Sequence, residues 1–373
     1  MRKKVIAAGH ICLDITPAFA DRGNRISEIL TPGSLIEAGA ADLHTGGSVA
    51  NTGLAMQLFG ADVRLMGKTG RDGFGDMIRG ILETYGADTS CMLQGDGSTS
   101  YSVVLAFPGI DRIFLHHPGA NDTFRASDVP DEVLDDAALF HFGYPPHMAQ
   151  MYRDGGRELT ALMKRVHDRG CAVSLDMAAV DEHSESGGAD WDGILKRTLP
   201  YVDFFVPSAE ELCYMTDRER LAEWRRAAAG QDVTEILDPV RDVGPLAGTC
   251  LQYGAKAVLI KCGRKGLYLR TADKSVMEQV TDRLGLDPSA WAGVERYERS
   301  FEPEKVVSAT GAGDVSIAAF LTSVLYGGTP AEAAAYAAAA GAYCVQAYDA
   351  LSGLVSFEKM KKKMDSGWKK TDI

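Results

Sequence analysis

The sequence predicts an α/β protein in which helices flank a mostly parallel β-sheet. Short β-rich runs alternate with stretches of helical periodicity along most of the chain, a pattern typical of parallel sheets. Hydrophobic residues make up 46% of the 373 residues, which is ample material for a core. Two glycine-rich turns also stand directly before helical segments. The length fits one large α/β domain or two ordinary ones.

Seven strands are predicted for the layered body. They cover residues 4–9, 63–67, 139–142, 172–176, 204–207, 257–262 and 266–270. Helical periodicity is clearest at Ala50, Leu54 and Leu58, and at Leu159, Leu162, Met163 and Val166. Alternating strands and helices of this kind place the helices on the faces of the sheet.

A different pattern covers residues 99–115, where two strand-like runs flank a turn at residues 108–111. This pattern predicts a hairpin. Together with residues 11–16 and 34–42, the hairpin is expected to form a small sheet that covers a cleft. The stretches 217–254 and 273–303 carry no motif and are expected to be polar elaborations.

Charge and composition exclude several classes of function. The formal net charge of -12 argues against a nucleic-acid-binding protein. No run approaches the ~18 apolar residues of a membrane helix, so no membrane partner is expected. The seven cysteines are widely spaced, which suggests neither a zinc site nor a disulfide framework. A reduced, cytoplasmic location fits best.

The most informative motif is Ser-Ala-Thr-Gly-Ala-Gly-Asp at residues 308–314, at the mouth of an apolar helical run. A helix mouth presents backbone N–H groups without intrahelical partners, and glycines let a phosphate approach them closely. A carboxylate such as Asp314 repels a phosphate there unless it removes a proton or a metal ion lies between. The motif therefore indicates catalysis, with a helix N-cap as the alternative role of Asp314.

A second glycine-rich turn, Gly46-Gly47, opens a helical segment that carries Asn51 one turn inside. Alone, this signal is weak, because two glycines before a helix are more often a packing feature and Asn51 can bond to neighbouring backbone. Two other features of the sequence strengthen the functional interpretation. Asp14 follows the first strand, and another glycine-rich loop lies at residues 70–75.

At this point the chain resembles the ribokinase-like family, also called the PfkB carbohydrate kinases. The resemblance rests on the Gly-Gly and Asn signature at residues 46–51 and the Thr-Gly-Ala-Gly-Asp signature at residues 310–314. It spans nearly the whole sequence. It implies one domain, residues 1–373, folded as a three-layer α/β/α sandwich with a mostly parallel central sheet. It also implies a small β-sheet lid over the sugar, formed by about residues 11–44 and 97–121.

The resemblance assigns the reaction to the second signature. In such kinases its aspartate, here Asp314, takes the proton from a substrate hydroxyl, which then attacks the γ-phosphate of ATP. The turn of Gly311, Ala312 and Gly313 matches the anion hole, whose donors are the backbone N–H groups from Ala312 to Asp314. The resemblance thus implies an aspartate base beside an anion hole.

Other positions match the family's substrate contacts. Asp14, Gly46, Gly47 and Asn51 stand where relatives hold sugar hydroxyls. Asn121, just after the hairpin, is a further candidate for substrate binding. The paired histidines at residues 116–117 are interpreted as a surface feature.

The nucleotide and metal positions are also implied by the resemblance. Lys261 and Gly263 match the strand and glycine loop under the ATP, and Thr310 is a further nucleotide-binding candidate. Glu211 matches the glutamate that helps to organise Mg²⁺, whereas Ser208 replaces the asparagine of the same motif. ATP and Mg²⁺ are therefore the expected cofactors.

Three departures limit the assignment. Ser308 replaces an aspartate that many relatives use near a monovalent-cation site, which leaves potassium activation open. Ser48 replaces the lysine of ribokinase itself, and residues 142–144, Phe-Gly-Tyr, lack its sugar-binding glutamate. Ribose is therefore not the leading substrate.

The leading hypothesis is an ATP-dependent kinase that phosphorylates a hydroxyl of a sugar or sugar acid. A nucleoside kinase of the same fold and a non-catalytic sugar-binding protein are the alternatives. A dinucleotide oxidoreductase is excluded, because no Gly-x-Gly-x-x-Gly follows the first strand. Apolar residues in the lid hairpin also predict a homodimer formed through the lid.

Overall fold

An eight-stranded sheet forms the centre of the molecule. The computed structural model describes residues 3–20, 26–108 and 112–372. The strands are β1 (Lys4–Gly9), β2 (Cys12–Pro17), β3 (Ala41–Gly46), β4 (Asp62–Met66), β5 (Lys68–Thr69), β6 (Leu93–Gln94), β7 (Tyr101–Leu105), β8 (Ile113–His117), β9 (Ala137–Gly143), β10 (Ala172–Asp176), β11 (Phe204–Phe205), β12 (Ala257–Lys261), β13 (Gly266–Thr271) and β14 (Glu295–Arg299). The α-helices are α1 (Ile26–Ile29), α2 (Ser48–Leu58), α3 (Gly73–Thr84), α4 (Asp131–Asp135), α5 (Ala149–Asp168), α6 (Trp191–Thr198), α7 (Ala209–Thr216), α8 (Arg218–Ala228), α9 (Gly244–Gln252), α10 (Lys274–Leu284), α11 (Pro288–Trp291), α12 (Ala312–Leu325), α13 (Pro330–Cys344) and α14 (Phe357–Asp365).

The central sheet has the strand order β14-β13-β12-β11-β10-β9-β1-β4. Its pairs are parallel from β4 to β12, and β13 and β14 add two antiparallel pairs at one edge. Each of the seven predicted strands overlaps an observed strand. The prediction of a mostly parallel sheet is confirmed.

Alternating side chains of β1 separate the core into two layers. Val5 and Ala7 pack in one buried cluster with residues of α2, α12 and α13, whereas Ile6 and Ala8 pack in another with residues of α5, α6 and α7. Successive side chains of a strand point to opposite faces of the sheet, so both faces are covered by helices. The fold is a three-layer α/β/α sandwich, as predicted.

A second sheet of four strands, with the order β3-β2-β7-β8, forms the lid. The predicted hairpin is present as β7 and β8, whose turn residues 109–111 lie outside the described residues. The prediction of a strand at 34–42 is wrong, because the strand is Ala41–Gly46. The ladder from Cys12–Gly46 to Pro17–Ala41 uses the full length of β2, and a proline suits the end of such a ladder.

The stretches 217–254 and 273–303 belong to the body, so their interpretation as polar elaborations is wrong. Trp224 of α8 and Met277 of α10 are buried in the two core clusters, and β14 forms the edge strand of the central sheet. Charged residues between the buried positions make the apolar periodicity of these helices weak in the sequence. Among the described residues, the helices lack the combination of length and apolar character required to cross a bilayer.

Candidate active site

A cleft lies at the edge of the central sheet where the parallel strands end. His10 and Tyr144 directly follow β1 and β9, and Asp176 and Lys261 are the last residues of β10 and β12. Parallel strands bring the residues at their carboxyl ends to one edge, which is where α/β proteins commonly bind ligands. The cavity measures about 730 Å³ and is lined by both the body and the lid.

The turn before α12 depends on glycine. Gly311 has a φ of 75°, in the left-handed region, and a Cβ atom there would lie 2.3 Å from Cβ of Ala350. The N–H group of Ala312 donates to the carbonyl oxygen of Ala309 (3.2 Å), so the next two N–H groups, of Gly313 and Asp314, are the first-turn donors that an anion can use. Residues 308–311 and Asp314 line the cavity, so the N-terminus of α12 opens into the cleft.

Asp314 lies in the first turn of α12 and is 3% exposed. Nδ2 of Asn51 donates to its Oδ2 (2.9 Å), and the Tyr144 hydroxyl donates to both carboxylate oxygens (2.7 and 2.8 Å). Burial raises the pKa of Asp314, while the bond from Asn51, the charge of Lys261 and the bond from Tyr144 lower it. The carboxylate is thus held in one orientation beside the cleft.

A buried ion pair lies beneath the helix mouth. Nζ of Lys261 is 2.8 Å from Oδ1 of Asp176, which is fully buried. Burial raises the pKa of Asp176, although the Lys261 charge opposes this. Burial also disfavours the charge of Lys261, but Asp176 and Glu211 outweigh it and raise the pKa of the ammonium group. Lys261 therefore places a positive charge next to Gly313, whose added Cβ would lie 3.3 Å from the lysine Cδ.

The second glycine turn joins the lid to the body. A Cβ atom on Gly46 would lie 2.2 Å from Oδ2 of Asp14, and one on Gly47 would lie 2.5 Å from the carbonyl oxygen of His10. Only glycine permits this close approach of α2 to both groups. Asp14, Gly47 and Asn51 all line the cleft, and burial raises the pKa of Asp14.

The remaining predicted residues fall into two groups, those that line the cleft and those that do not. Thr310 and Glu211 line the cleft, and Glu211 also accepts a bond from the Ser208 backbone N–H (2.8 Å) in a capping box at the start of α7. Gly263 lies in the turn between β12 and β13, where its φ is 56° and an added Cβ would lie 2.4 Å from Oγ1 of Thr234. Asn121 is fully buried and is not among the residues that line the cavity.

Asn121 lies behind the cleft. Its Nδ2 donates to the carbonyl oxygens of Ile11 (2.9 Å) and Pro118 (3.2 Å), and its Oδ1 accepts from the N–H of Ile11 (3.3 Å). These bonds engage both ends of the amide and tie the segment after β8 to the β1–β2 connection. The structure does not bring Asn121 together with the other predicted substrate residues.

Comparison with protein-family models matches residues 3–355 to the pfkB family carbohydrate kinases. The chain belongs to this family. The prediction of a carbohydrate kinase is thereby confirmed, and ATP dependence is a property of the family.

Relatives of this pfkB family kinase agree with the assignment. An uncharacterized sugar kinase of Archaeoglobus fulgidus is 23% identical over 301 residues, which cover 81% of this chain and 98% of the relative. Arabidopsis thaliana ribokinase, solved with ribose and ATP, has a TM-score of 0.70 at 19% identity and covers 97% of this chain and 98% of its own. A fructokinase from Xylella fastidiosa, solved with ATP, has a TM-score of 0.70 at 18% identity, with coverages of 98% and 99%. These structures confirm the ribokinase-like fold.

Sequence reasoning missed several residues that line the cleft of this pfkB family kinase. Tyr144 was considered only as part of residues 142–144, the segment that lacks the sugar-binding glutamate of ribokinase. His10, His116 and His147 were not assigned to the site. A usable signal existed, because polar residues that directly follow buried parallel strands meet at one edge of the sheet. His116 carried no such signal, since it reaches the cleft only through the fold of the lid.

Proposed function

We propose that this kinase transfers the γ-phosphoryl group of ATP to a hydroxyl group of a sugar or sugar acid. The observation that carries the proposal is the buried Asp314 carboxylate, oriented by Asn51 and Tyr144 at the glycine-lined mouth of α12. The carboxylate accepts the hydroxyl proton as the substrate oxygen bonds to the γ-phosphorus. The bond from that phosphorus to the bridging oxygen breaks, and ADP leaves with the electron pair.

Charge on the transferring group is stabilised by the helix mouth. The N–H groups of Gly313 and Asp314 are the donors open to that group, and the Lys261 ammonium group, paired with Asp176, supplies a positive charge beside Gly313. Glu211 borders the same cavity, and its carboxylate oxygens are the kind of donor that Mg²⁺ prefers. Bound Mg²⁺ would neutralise part of the charge on the ATP phosphates.

The lining of the lid supports a sugar rather than a nucleoside. Among the described residues, four polar lid residues, Asp14, Ser102, Arg112 and His116, line the cavity beside a single large aromatic lid residue, Phe114. Phe107 packs against Phe19 instead, with ring centroids 4.2 Å apart. Hydroxyl groups need such directional polar partners, whereas a nucleobase needs an apolar or stacking surface.

Release of ADP from ATP and Mg²⁺ tests the proposal across hexoses, pentoses, keto-sugar acids and nucleosides. Asp314→Asn should lower the substrate-dependent rate by about 10² to 10⁴ and leave the fold intact. Asp76→Asn is the matched control, because residues 73–76, Gly-Phe-Gly-Asp, repeat the spacing of the motif at the start of α3 with an exposed aspartate.

Each outcome has a distinct meaning. A signal only with nucleosides establishes the nucleoside kinase alternative. Stabilisation by sugars without ADP release supports a binding protein. Equal activity of Asp314→Asn and Asp76→Asn would show that Asp314 is not the catalytic base.

We also infer that a second copy of the chain covers the outer face of the lid. On β8, Ile113 and Leu115 are 36% and 55% exposed, and they alternate with Phe114 and His116, which line the cleft. An apolar sheet face of this kind is suited to association. Light scattering should give a dimer for the wild type and a monomer for Leu115→Glu, and a wild-type monomer at micromolar concentration contradicts the inference.

A further inference from the structure

Three histidines from separate segments meet in the wall of the cleft. His10 follows β1, His147 lies just before α5, and His116 is on the lid strand β8. One ring nitrogen of each lies within 4.8 Å of a ring nitrogen of the other two. The ring centroids are 5.0, 5.2 and 5.4 Å apart. The fold therefore brings two histidines of the body and one of the lid to a common point.

The other contacts of these rings resemble the outer contacts of metal-bound histidines. Nε2 of His147 is 2.9 Å from the carbonyl oxygen of Ala179, so this nitrogen carries the proton and Nδ1 keeps a lone pair. Nδ1 of His116 is 3.0 Å from Oγ of Ser102. A histidine that binds a metal ion through one nitrogen usually donates the other N–H to an oxygen in this way.

His10 provides an independent observation. The residue is 2% exposed, and its Nδ1 is buried without a hydrogen-bond partner among the described residues. Its Nε2 lies 3.5 Å from Oγ of Ser100. A buried polar atom without a partner is costly, and a bound ion would supply the missing contact.

The charge of the surroundings favours a cation over an anion. Three imidazolium ions at these separations would repel one another, so the cluster suits neutral rings. Neutral rings present lone pairs. Carboxylates of Asp14 and Glu211 border the same cavity.

We propose that His10, His116 and His147 bind a divalent transition metal ion, with Zn²⁺ as the best chemical match. Imidazole nitrogen suits Zn²⁺, and three histidines leave a fourth tetrahedral position open to the cavity. Zn–N bonds of 2.0–2.1 Å require the nitrogens to lie about 3.3 Å apart. Because His116 belongs to the lid, bringing the three nitrogens to this separation around the ion would draw the lid towards the body. If the proposed kinase reaction is correct, the ion competes with the sugar for the cleft.

Binding is measured on the full-length, metal-free protein by competition between Zn²⁺ and a chromophoric chelator, and by the visible spectrum of Co²⁺. We expect one ion per chain with a tetrahedral Co²⁺ spectrum. Cys12 also lines the cavity, and a thiolate-to-cobalt band together with an affinity that neither His116→Gln nor His147→Gln lowers would overturn the histidine site. Sugar phosphorylation measured beside binding separates the two proposals, because activity without Zn²⁺ binding refutes only this one.

His116→Gln should weaken Zn²⁺ binding by more than about tenfold. The matched control is His117→Gln, since the next residue of the same strand points to the other face and contacts Oγ of Ser98 (2.8 Å). Equal affinities of the two variants contradict the proposal. His147→Gln gives a second test on the body side in case the lid variant does not fold.

Discussion

The hydroxyl of Tyr144 lies 2.7 Å from Oδ1 and 2.8 Å from Oδ2 of Asp314, so one proton is shared between both oxygens of the carboxylate. Tyr144 reaches this position from the end of β9 with a φ of 67°, which is unusual for a residue other than glycine. Such outliers concentrate at functional sites. Under the proposed reaction, a substrate hydroxyl must reach the carboxylate that the tyrosine contacts.

The pH dependence of the reaction tests this contact. Burial raises the pKa of Asp314, and the Tyr144 bond lowers it by stabilising the ionised form. Tyr144→Phe should therefore raise this pKa, so less of the base is ionised at a given acidic pH and the acid limb of kcat/KM moves to higher pH. Rate profiles of both proteins measure the shift, and an acid limb that stays in place contradicts the role of the hydroxyl.

The Lys261–Asp176 pair predicts a large stability effect. Lys261→Met leaves the Asp176 carboxyl buried without its partner, which should lower the free energy of unfolding by about 3–5 kcal/mol. Adding Asp176→Leu removes the orphaned group and should restore much of the stability, but not the activity, because the ammonium group stays absent. Urea unfolding and ADP release separate the effects. A double variant as unstable as Lys261→Met would show that the lost charge pairing is not the cause.

The two glycines at the ends of α12 form a matched pair. Gly311 and Gly327 have φ values of 75° and 84°, but only at Gly311 would an added Cβ have neighbours within 4 Å, the nearest being Cβ of Ala350 at 2.3 Å. Alanine at either position should cost about 1–2 kcal/mol for the left-handed backbone. Gly311→Ala should in addition lose most activity, because relief of the clash displaces the first-turn N–H groups. Similar kinetics for both variants would exclude this effect.

Asn121 is predicted to act on stability rather than on substrate binding. Asn121→Asp replaces the donor to the Ile11 and Pro118 carbonyl oxygens with an acceptor, which should cost about 1–3 kcal/mol. The melting temperature should fall while the KM for the sugar changes little at a temperature where the variant is folded. A raised KM with an unchanged melting temperature would return Asn121 to the substrate site.

Local patterns in the chain accounted for the layers of the fold and for part of the site. The glycine turns before α2 and α12 were recognised because a turn that opens a helix has a local signature. The edge strand β14 was missed, since only one of its five residues is buried and period-two alternation is weak there. The lid strand β3 was placed too early because its bounds depend on pairing with β2.

By itself, the sequence determined the layered α/β body, the glycine turns and the position of Asp314 at a helix mouth, because each depends on residues that are close together in the chain. Only the tertiary structure decided which groups contact that carboxylate. Asn51 and Tyr144 are 263 and 170 positions away from Asp314. The meeting of His116 with His10 and His147 was decided in the same way, since the lid must fold over the body before the three rings share one cavity. Contacts across such separations follow from the packing of whole sheets and helices, and the local pattern marks only that His10 and Tyr144 each follow a buried strand.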